Sequence, residues 1–492
     1  MHDHPNKPSL TKEQFISLPG DSPVPPLYAE IPFLSPEMLY PVFSGSQSFL
    51  FESVKGPETI ARYSFIGFDP CAVVRVKDGI VETDFSGSLS LSQEKPLRKL
   101  QELLAKYARQ PLPGLPPFQG GAAGLLSYDF VHYLEKLPKT TADDLRIPDA
   151  HFLLIDRLVA IDHLEKRAWA IVCPGVRGGE DRALWYDEAE ESLARICERV
   201  REGTTPDSSA RPAVVLPKIE VLHEMKKEDY MDMVKRAKEY IAAGDIFQAN
   251  LSQRVLAFIG HLQPWSLYTI LRTINPSPFA GFMDFGDYAL VSSSPERLVR
   301  VNDGVVDTRP IAGTRPRGRD VKEDRKMRDE LLLNEKERAE HLMLIDLERN
   351  DLGRVCGYGT VEVDELMITE DYSHVIHIVS NVRGVLARGK TCLDVMGAVF
   401  PGGTITGVPK VRCMEIIDEL EPVRRGPYTG SMGYIGFSGA MDLNIIIRTF
   451  VIKGGYAYVQ AGAGIVADSD PEKEYHETLK KAEALIRTLE RL

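Results

Sequence analysis

No two cysteines of this chain form a CxxC pair. The six, at 71, 173, 197, 356, 392 and 413, are scattered, so neither a zinc site nor a disulfide framework is indicated, and a reducing cytoplasm fits best. No apolar run approaches the roughly 20 residues that span a bilayer. The opening residues, MHDHPNKPSLTKEQF, have neither the basic nor the apolar region of a signal peptide. Positive charge is not in excess either. A formal net charge of -12 argues against nucleic acid or an anionic membrane surface as partner and leaves room only for a local basic pocket.

What is present suits a large globular chain. With 492 residues, 43% hydrophobic and 26% charged, one large domain or two are expected. Residues 1–20 are polar and read as poorly ordered. Residues 21–200 read mainly as strands: SFLFESV, ARYSFIGF, CAVVRV and FLLIDRLVAIDH are short, apolar and rich in β-branched or aromatic residues. One helical stretch, PLRKLQELLAKYA, interrupts them. Residues 201–221 have the Gly, Pro, Ser and Thr content of a linker or surface loop. From 222 to 492, strands and helices alternate, beginning with an amphipathic helix that stops near Gly244. Periodicity alone supports a mixed α and β fold.

Two pairs of glutamates draw attention. Glu337 and Glu340 lie in NEKERAEHLMLIDL, and Glu474 and Glu477 in DPEKEYHETLKKA. At i,i+3 spacing each pair shares one helix face. Spacing alone fits a solvated face with Glu/Lys pairing. Four carboxylates at one place would instead suit a hard divalent cation such as Mg²⁺, which needs few protein ligands when an anionic substrate completes its shell. The apolar run LMLI beside the first pair favours ligation, because buried carboxylates need partners. The last helix starts at Asp470–Pro471 or one residue earlier, and Lys480 continues the Glu474–Glu477 stripe. The segment from EDRKMRD to LERNDL reads as one helix. Further polar residues stand in apolar or Gly-rich surroundings: Glu296 in SSSPERLVRV, His374 and His377 at helical spacing in YSHVIHIVSNV, Arg448 at the end of LNIIIRTFVI, Thr404 in GTITGVPK, and Gly462 and Gly464 in VQAGAGIVADSD. Each has a plain alternative: an ion-pair partner for Arg448, a core histidine for His377, a helix cap for Thr404 and a bulge for the glycines.

These segments resemble the chorismate-utilising enzymes, among them anthranilate synthase component I, aminodeoxychorismate synthase component I, isochorismate synthase and salicylate synthase. The motifs DTRPIAGTRPRG, NEKERAEHLMLIDLERNDLGRV, YSHVIHIVSNVRG, FPGGTITGVPKVRCMEII, GYIGFSGAMDLNIIIRT and QAGAGIVADSDPEKEYHET run in that family's order. FLFESV, ARYSFIGFDP and FQGGAAGLLSYD extend the likeness through 21–200, leaving 222–492 as the chorismate-binding catalytic part. The resemblance implies an α/β (α+β) architecture of large antiparallel sheets flanked by helices. It implies Mg²⁺ held by Glu340 and Glu477, with Glu337 and Glu474 completing the shell. Arg448 and Tyr434 would hold the enolpyruvyl carboxylate, helped by the backbone near Gly464, while Thr404 and Lys480 line the pocket. Glu296 would be the general acid and His377 the base that removes a ring proton.

Two positions bear on the product. Members that add water carry a lysine where this chain has Gln248, so the resemblance points to the amine-forming branch. Many aminodeoxychorismate synthases carry a nucleophilic lysine where this chain has Ala312, and alanine there favours anthranilate. The neighbouring motifs GGTITGVPK and RRGPYTGSMGYIGF resemble the aminodeoxychorismate side. LFES, with Glu52 and Ser53, and the prolines of NPSPFAGF, beginning with Pro276, resemble a tryptophan pocket, but Phe279 and Ala280 replace its Tyr and Met. No cysteine lies in a G-x-C-x-G turn, so ammonia is expected from a separate glutamine amidotransferase subunit in a hetero-oligomer. The leading expectation is conversion of chorismate and ammonia to 4-amino-4-deoxychorismate. Anthranilate formation is the alternative, and a non-catalytic chorismate-binding subunit comes third.

Overall fold

A computed structural model describes residues 8–19, 23–56, 61–178, 181–203, 219–371 and 375–492. Its frame is two twelve-stranded sheets whose paired strands are antiparallel, the mixed architecture expected from the resemblance. The short runs read as strands form them. SFLFE, YSFIG and AVVRVK are Ser48–Glu52, Tyr63–Gly67 and Ala72–Lys77, and FLLIDRLVAIDH bends at Asp156 to give Ala150–Ile155 and Arg157–Asp162.

The boundary near 200–222 does not separate two units. In the first sheet Ser48–Glu52 pairs with Phe279–Asp284, with Glu52 opposite Ala280. In the second, Gly121–Leu126 pairs with Ser431–Gly436, with Gly124 opposite Gly433. Each half would otherwise present an open edge with unpaired backbone groups, and the other half closes it. The expected linker shrinks at both ends: a helix extends to Gly203 and a strand begins at Val221, while 204–218 lie outside the described residues.

Three large buried clusters hold the layers together. One lies between the sheets, with Phe49, Leu158 and Leu290 from the first and Leu125, Leu153 and Met432 from the second. The others pack helices on the outer faces. The first sheet is covered by Pro36–Phe43, Arg182–Gly203, Pro264–Ile274 and Pro471–Leu489, with Lys410–Leu420 packed on its Gln248–Phe258 strand, and the second by Pro96–Lys106 and Cys392–Val399.

Several local expectations need correction. The N-terminal stretch contains a helix, Lys12–Ile16, with a Thr11/Gln14 capping box and a fully buried Phe15, because Phe15 finds a partner in Tyr186. The strand-rich half also carries the helix Arg182–Gly203. The long helix breaks at Asn334 into Val321–Leu333 and Glu335–Gly353, since the Asn334 side chain accepts from the Glu337 N–H at 3.0 Å and caps the second piece. His377 lies on the strand Val375–Val385 rather than on a helix, and His374 lies outside the described residues. Gly462 and Gly464 sit in the strand Tyr456–Ile465, paired with Ser252 and Asn250, rather than in a bulge. The last helix starts with Asp470 as cap and Pro471 at its first position.

Candidate active site

The site forms where the chain crosses twice from one sheet to the other. Tyr288–Ser294 belongs to the first sheet and Arg297–Asn302 to the second, and Glu296 lies on the step between them. Met441–Ile445 belongs to the second sheet and Thr449–Lys453 to the first, and Arg448 lies on that return step with φ +51°. The steps are bonded to each other. Ile445 N–H donates to the Glu296 carbonyl at 3.0 Å, and Ser293 N–H to the Arg448 carbonyl at 3.1 Å. Two residues far apart in sequence are thereby fixed side by side.

Around Glu296 the expected residues gather. Glu296 is buried, and burial pushes its carboxyl up to about 7. The Thr404 hydroxyl, the Ile311 N–H, and the charges of Arg448 and Lys481 pull the other way. Thr404 is on the 3-10 turn Gly403–Ile405, not at a helix cap, and its hydroxyl makes no well-aligned hydrogen bond. Ala312 follows Ile311 on the strand Ile311–Pro316, which pairs with the His377 strand. The His377 ring Nδ1 lies 3.2 Å from the Gly313 carbonyl. Burial, and next the Arg448 charge, lower His377 to about 4 against that hydrogen bond, so its imidazole is neutral at pH 7.

A second wall comes from the strand Gln248–Phe258. Gln248 Nε2 donates to Glu340 Oε1 at 3.0 Å, and its Oε1 is buried without a hydrogen bond. A Cβ on Gly464 would stand 2.5 Å from Gln248 Nε2. One on Gly462 would collide with Asn250 Oδ1 and stand 2.8 Å from the Tyr428 hydroxyl. The glycines keep this wall open to polar groups.

Two expected pocket residues give way to others. Tyr434 lies in the cluster between the sheets, its ring 4.7 Å from Phe118 and 5.3 Å from Phe65. It shares a strand face with Met432, which parity along SMGYIG already implies. Tyr428, in the GPYTG loop, is the tyrosine facing Gly462. Lys480 is exposed. The next residue, Lys481, pairs with Glu477 at 2.9 Å, donates to the Gly462 carbonyl at 3.0 Å and bears on Glu296. The i,i+4 Glu477–Lys481 spacing was the available signal. Asn250 and Glu348 were also overlooked; an alternating polar pattern through QANLS marked the former.

The four glutamates do not close into a cluster: among the described residues no three His, Cys, Asp or Glu are gathered as metal ligands. They have nearer partners. Glu337 Oε1 accepts from Arg315 at 2.7 Å, Glu340 from Gln248, and Glu477 from Lys481, while Glu474 is half-buried on the last helix. One feature does suit a hard cation: Glu337 Oε2 is buried and makes no hydrogen bond, in an all-oxygen donor set.

The expected tryptophan pocket is engaged internally. Glu52 accepts from Tyr268 at 2.7 Å and from Arg272 at 2.6 and 3.1 Å. Ser53 donates to the Pro278 carbonyl at 3.2 Å, and Pro276 lies in the segment that follows the helix Pro264–Ile274.

A profile of chorismate binding enzymes matches residues 46–487. The chain belongs to that family. It is 45% identical to anthranilate synthase component 1 of Acetivibrio thermocellus over 446 residues, covering 90% of each chain. It is 43% identical to aminodeoxychorismate synthase component 1 of Bacillus subtilis over 445 residues, covering 90% of this chain and 91% of that one. Among solved structures, anthranilate synthase component I from Streptococcus pneumoniae superposes with a TM-score of 0.77 at 34% identity, covering 92% of this chain and 97% of its own. Among the described residues, no helix is long and apolar enough to cross a membrane.

Proposed function

We propose that the chain is the aminase component that converts chorismate and ammonia to 4-amino-4-deoxychorismate, with ammonia delivered by a separate glutamine amidotransferase subunit. The observation that carries amination of chorismate, with either product, is Glu296. A buried carboxyl raised to about 7 keeps about half its protons at neutral pH, as the departing C4 hydroxyl of chorismate requires. Arg448 and Lys481 supply positive charge for a dianion in an otherwise acidic protein, and Tyr428 and the Gly462–Gly464 backbone complete the wall. Mg²⁺ would be held by Glu340 and Glu477, with Glu337 and Glu474 completing its shell, and would neutralise the ring carboxylate. A cation there would compete with Gln248 for Glu340 and with Lys481 for Glu477, while Glu337 offers an Oε2 that makes no hydrogen bond.

The engaged Glu52 and Ser53, with Phe279 stacked under Arg297 at 4.9 Å, leave little for tryptophan to bind and favour the aminodeoxychorismate product. A second reading, anthranilate with loss of pyruvate, is favoured by Ala312 and by neutral His377, which would accept the ring proton. Product analysis with chorismate, Mg²⁺ and ammonium separates the two. Release of 4-aminobenzoate only after a lyase is added supports the first reading, and fluorescent anthranilate without one supports the second. Equal use of glutamine and ammonium by the purified chain would refute the separate ammonia donor.

A further inference from the structure

Asn250 carries a buried oxygen that the fold leaves unused. Its backbone is fixed from two sides: the N–H donates to the Thr406 carbonyl at 2.8 Å, and the carbonyl accepts from Arg425 at 2.6 Å. Its side chain leaves the same strand face as Gln248, and Gly464 stands opposite it on the neighbouring strand. The residue is 8% exposed, yet Oδ1 makes no hydrogen bond. The buried amide oxygen of a structural asparagine takes a backbone N–H or caps a turn, and this one does neither.

The oxygen is not isolated. A Cβ on Gly462 would stand 2.4 Å from Asn250 Oδ1 and 2.8 Å from the Tyr428 hydroxyl, so the two oxygens converge over a glycine and one small donor can reach both. Burial pushes the Tyr428 phenol up, so it stays an uncharged hydroxyl. Two residues along the wall, Gln248 Oε1 is also buried without a hydrogen bond. Its orientation is fixed, because the Glu340 carboxylate can only accept and therefore holds Nε2. The neighbouring cations are each paired, Lys481 with Glu477 and Arg425 with Glu421.

We propose, resting on the reading of the chain as a chorismate aminase, that Asn250 seats the nitrogen nucleophile: its Oδ1 and the Tyr428 hydroxyl oxygen accept two N–H groups of ammonia over Gly462, with Gln248 Oε1 the next acceptor along the wall. Amide oxygens accept and cannot donate, so they offer nothing to a substrate carboxylate. The paired cations leave little net charge to attract an ion, and the seat suits an uncharged ligand. Ammonia has three N–H donors and one lone pair. Acceptors that hold the N–H groups leave the lone pair free for the ring, whereas a donor at the same place would occupy it. Gly462 keeps the seat open, since a side chain there would fill it.

The test measures KM for ammonia and KM for chorismate separately, in the Mg²⁺-supplemented protein with ammonium chloride as nitrogen source at fixed pH and ionic strength. Wild type is compared with Asn250→Leu, which keeps the size and removes the oxygen, and with Asn250→Asp, which keeps an acceptor. Asn250→Leu should raise KM for ammonia about tenfold, as for one lost hydrogen bond, and leave KM for chorismate within about twofold of wild type. Asn250→Asp should hold KM for ammonia within about threefold of wild type. An unchanged KM for ammonia in folded Asn250→Leu would overturn the seat. So would an equal rise in both KM values, which would place chorismate there, or an equal loss in the leucine and aspartate variants. Asn250→Ala serves if the leucine variant does not fold. A wild type that forms no amine from chorismate at any ammonium concentration would instead overturn the aminase reading, and with it the seat.

Discussion

Arg425→Met tests whether a buried ion pair carries the frame of the site. The Arg425 and Glu421 side chains are 1% and 2% exposed. The guanidinium donates to Glu421 at 2.7 and 2.9 Å, to the Ile405 carbonyl at 2.9 Å and to the Asn250 carbonyl at 2.6 Å. Glu421 in turn accepts from the N–H and the hydroxyl of Ser252, both at 2.8 Å. Asn250 and Ser252 lie on the strand that opens with Gln248, and Ile405 follows Thr404. The pair thus ties the amide wall of the pocket to the turn beside the acid.

Methionine in place of Arg425 leaves a buried carboxylate without its cation and two backbone carbonyls without a donor. Breaking one side of such a pair costs about 3–5 kcal/mol, and a dry, unpaired carbonyl adds about 1–3 kcal/mol. Relaxation returns part of this, so a loss of about 4 kcal/mol is expected in urea unfolding at pH 7, followed by tryptophan fluorescence. KM for chorismate should rise in the folded fraction, because Gln248 and Thr404 lose their common tether. The double variant Arg425→Met/Glu421→Leu removes the stranded charge and should recover about 2 kcal/mol of the loss. A single variant that loses less than about 1 kcal/mol, with an unchanged KM, would refute the reasoning.

Three further outcomes follow from the same geometry. Lys481→Ala should raise KM for chorismate about tenfold or more while Lys480→Ala leaves it unchanged, since each 1.4 kcal/mol of lost binding is tenfold; steady-state kinetics on both decides it. Gly462→Ala should have a similar effect on KM, because the added Cβ meets the Tyr428 hydroxyl and the Leu251 carbonyl at 2.8 Å, and a full-strength substrate titration would count against the pocket wall. Glu296→Gln should be inactive yet more stable at alkaline pH. The folded carboxyl titrates near 7 and an unfolded glutamate near 4.5, so the wild-type penalty is absent below 4.5, grows as pH rises and is complete above 7. The variant should gain about 3 kcal/mol over wild type at pH 8 and markedly less at pH 5.5, read from urea midpoints at the two pH values.

Much of the architecture was legible because strand parity and helix caps are local. The short runs of β-branched and aromatic residues in AVVRVK and SFLFE, the Asp470–Pro471 start and the stop near Gly244 all match what the chain adopts. Parity also held information that was misread: Tyr434 shares a face with Met432 and belongs to the core, while Tyr428 sits in a loop free of that pattern. Lys480 was preferred to Lys481 by extending a three-residue stripe, although a salt bridge from Glu477 favours the fourth residue. The break at Asn334 was masked by good helix formers on both sides, which conceal a cap in their midst.

What was not legible is the pairing of distant steps. Nothing local to SSSPERLVRV or LNIIIRTFVI says that each leaves one sheet for the other, or that the two departures are hydrogen-bonded together. That coincidence makes a buried, proton-retaining carboxyl from ordinary parts. A glutamate on a sheet-to-sheet step cannot turn to solvent on either side, so it is desolvated. The return step brings an arginine whose charge limits that cost without neutralising the acid. The glutamate pairs, by contrast, were conspicuous in sequence yet are dispersed among Arg315, Gln248 and Lys481 in the fold. Those partners mark where a cation must compete to bind. Lys481 bears on both Glu477 and Glu296, so the charge on the last helix and the field at the buried carboxyl are linked through one lysine.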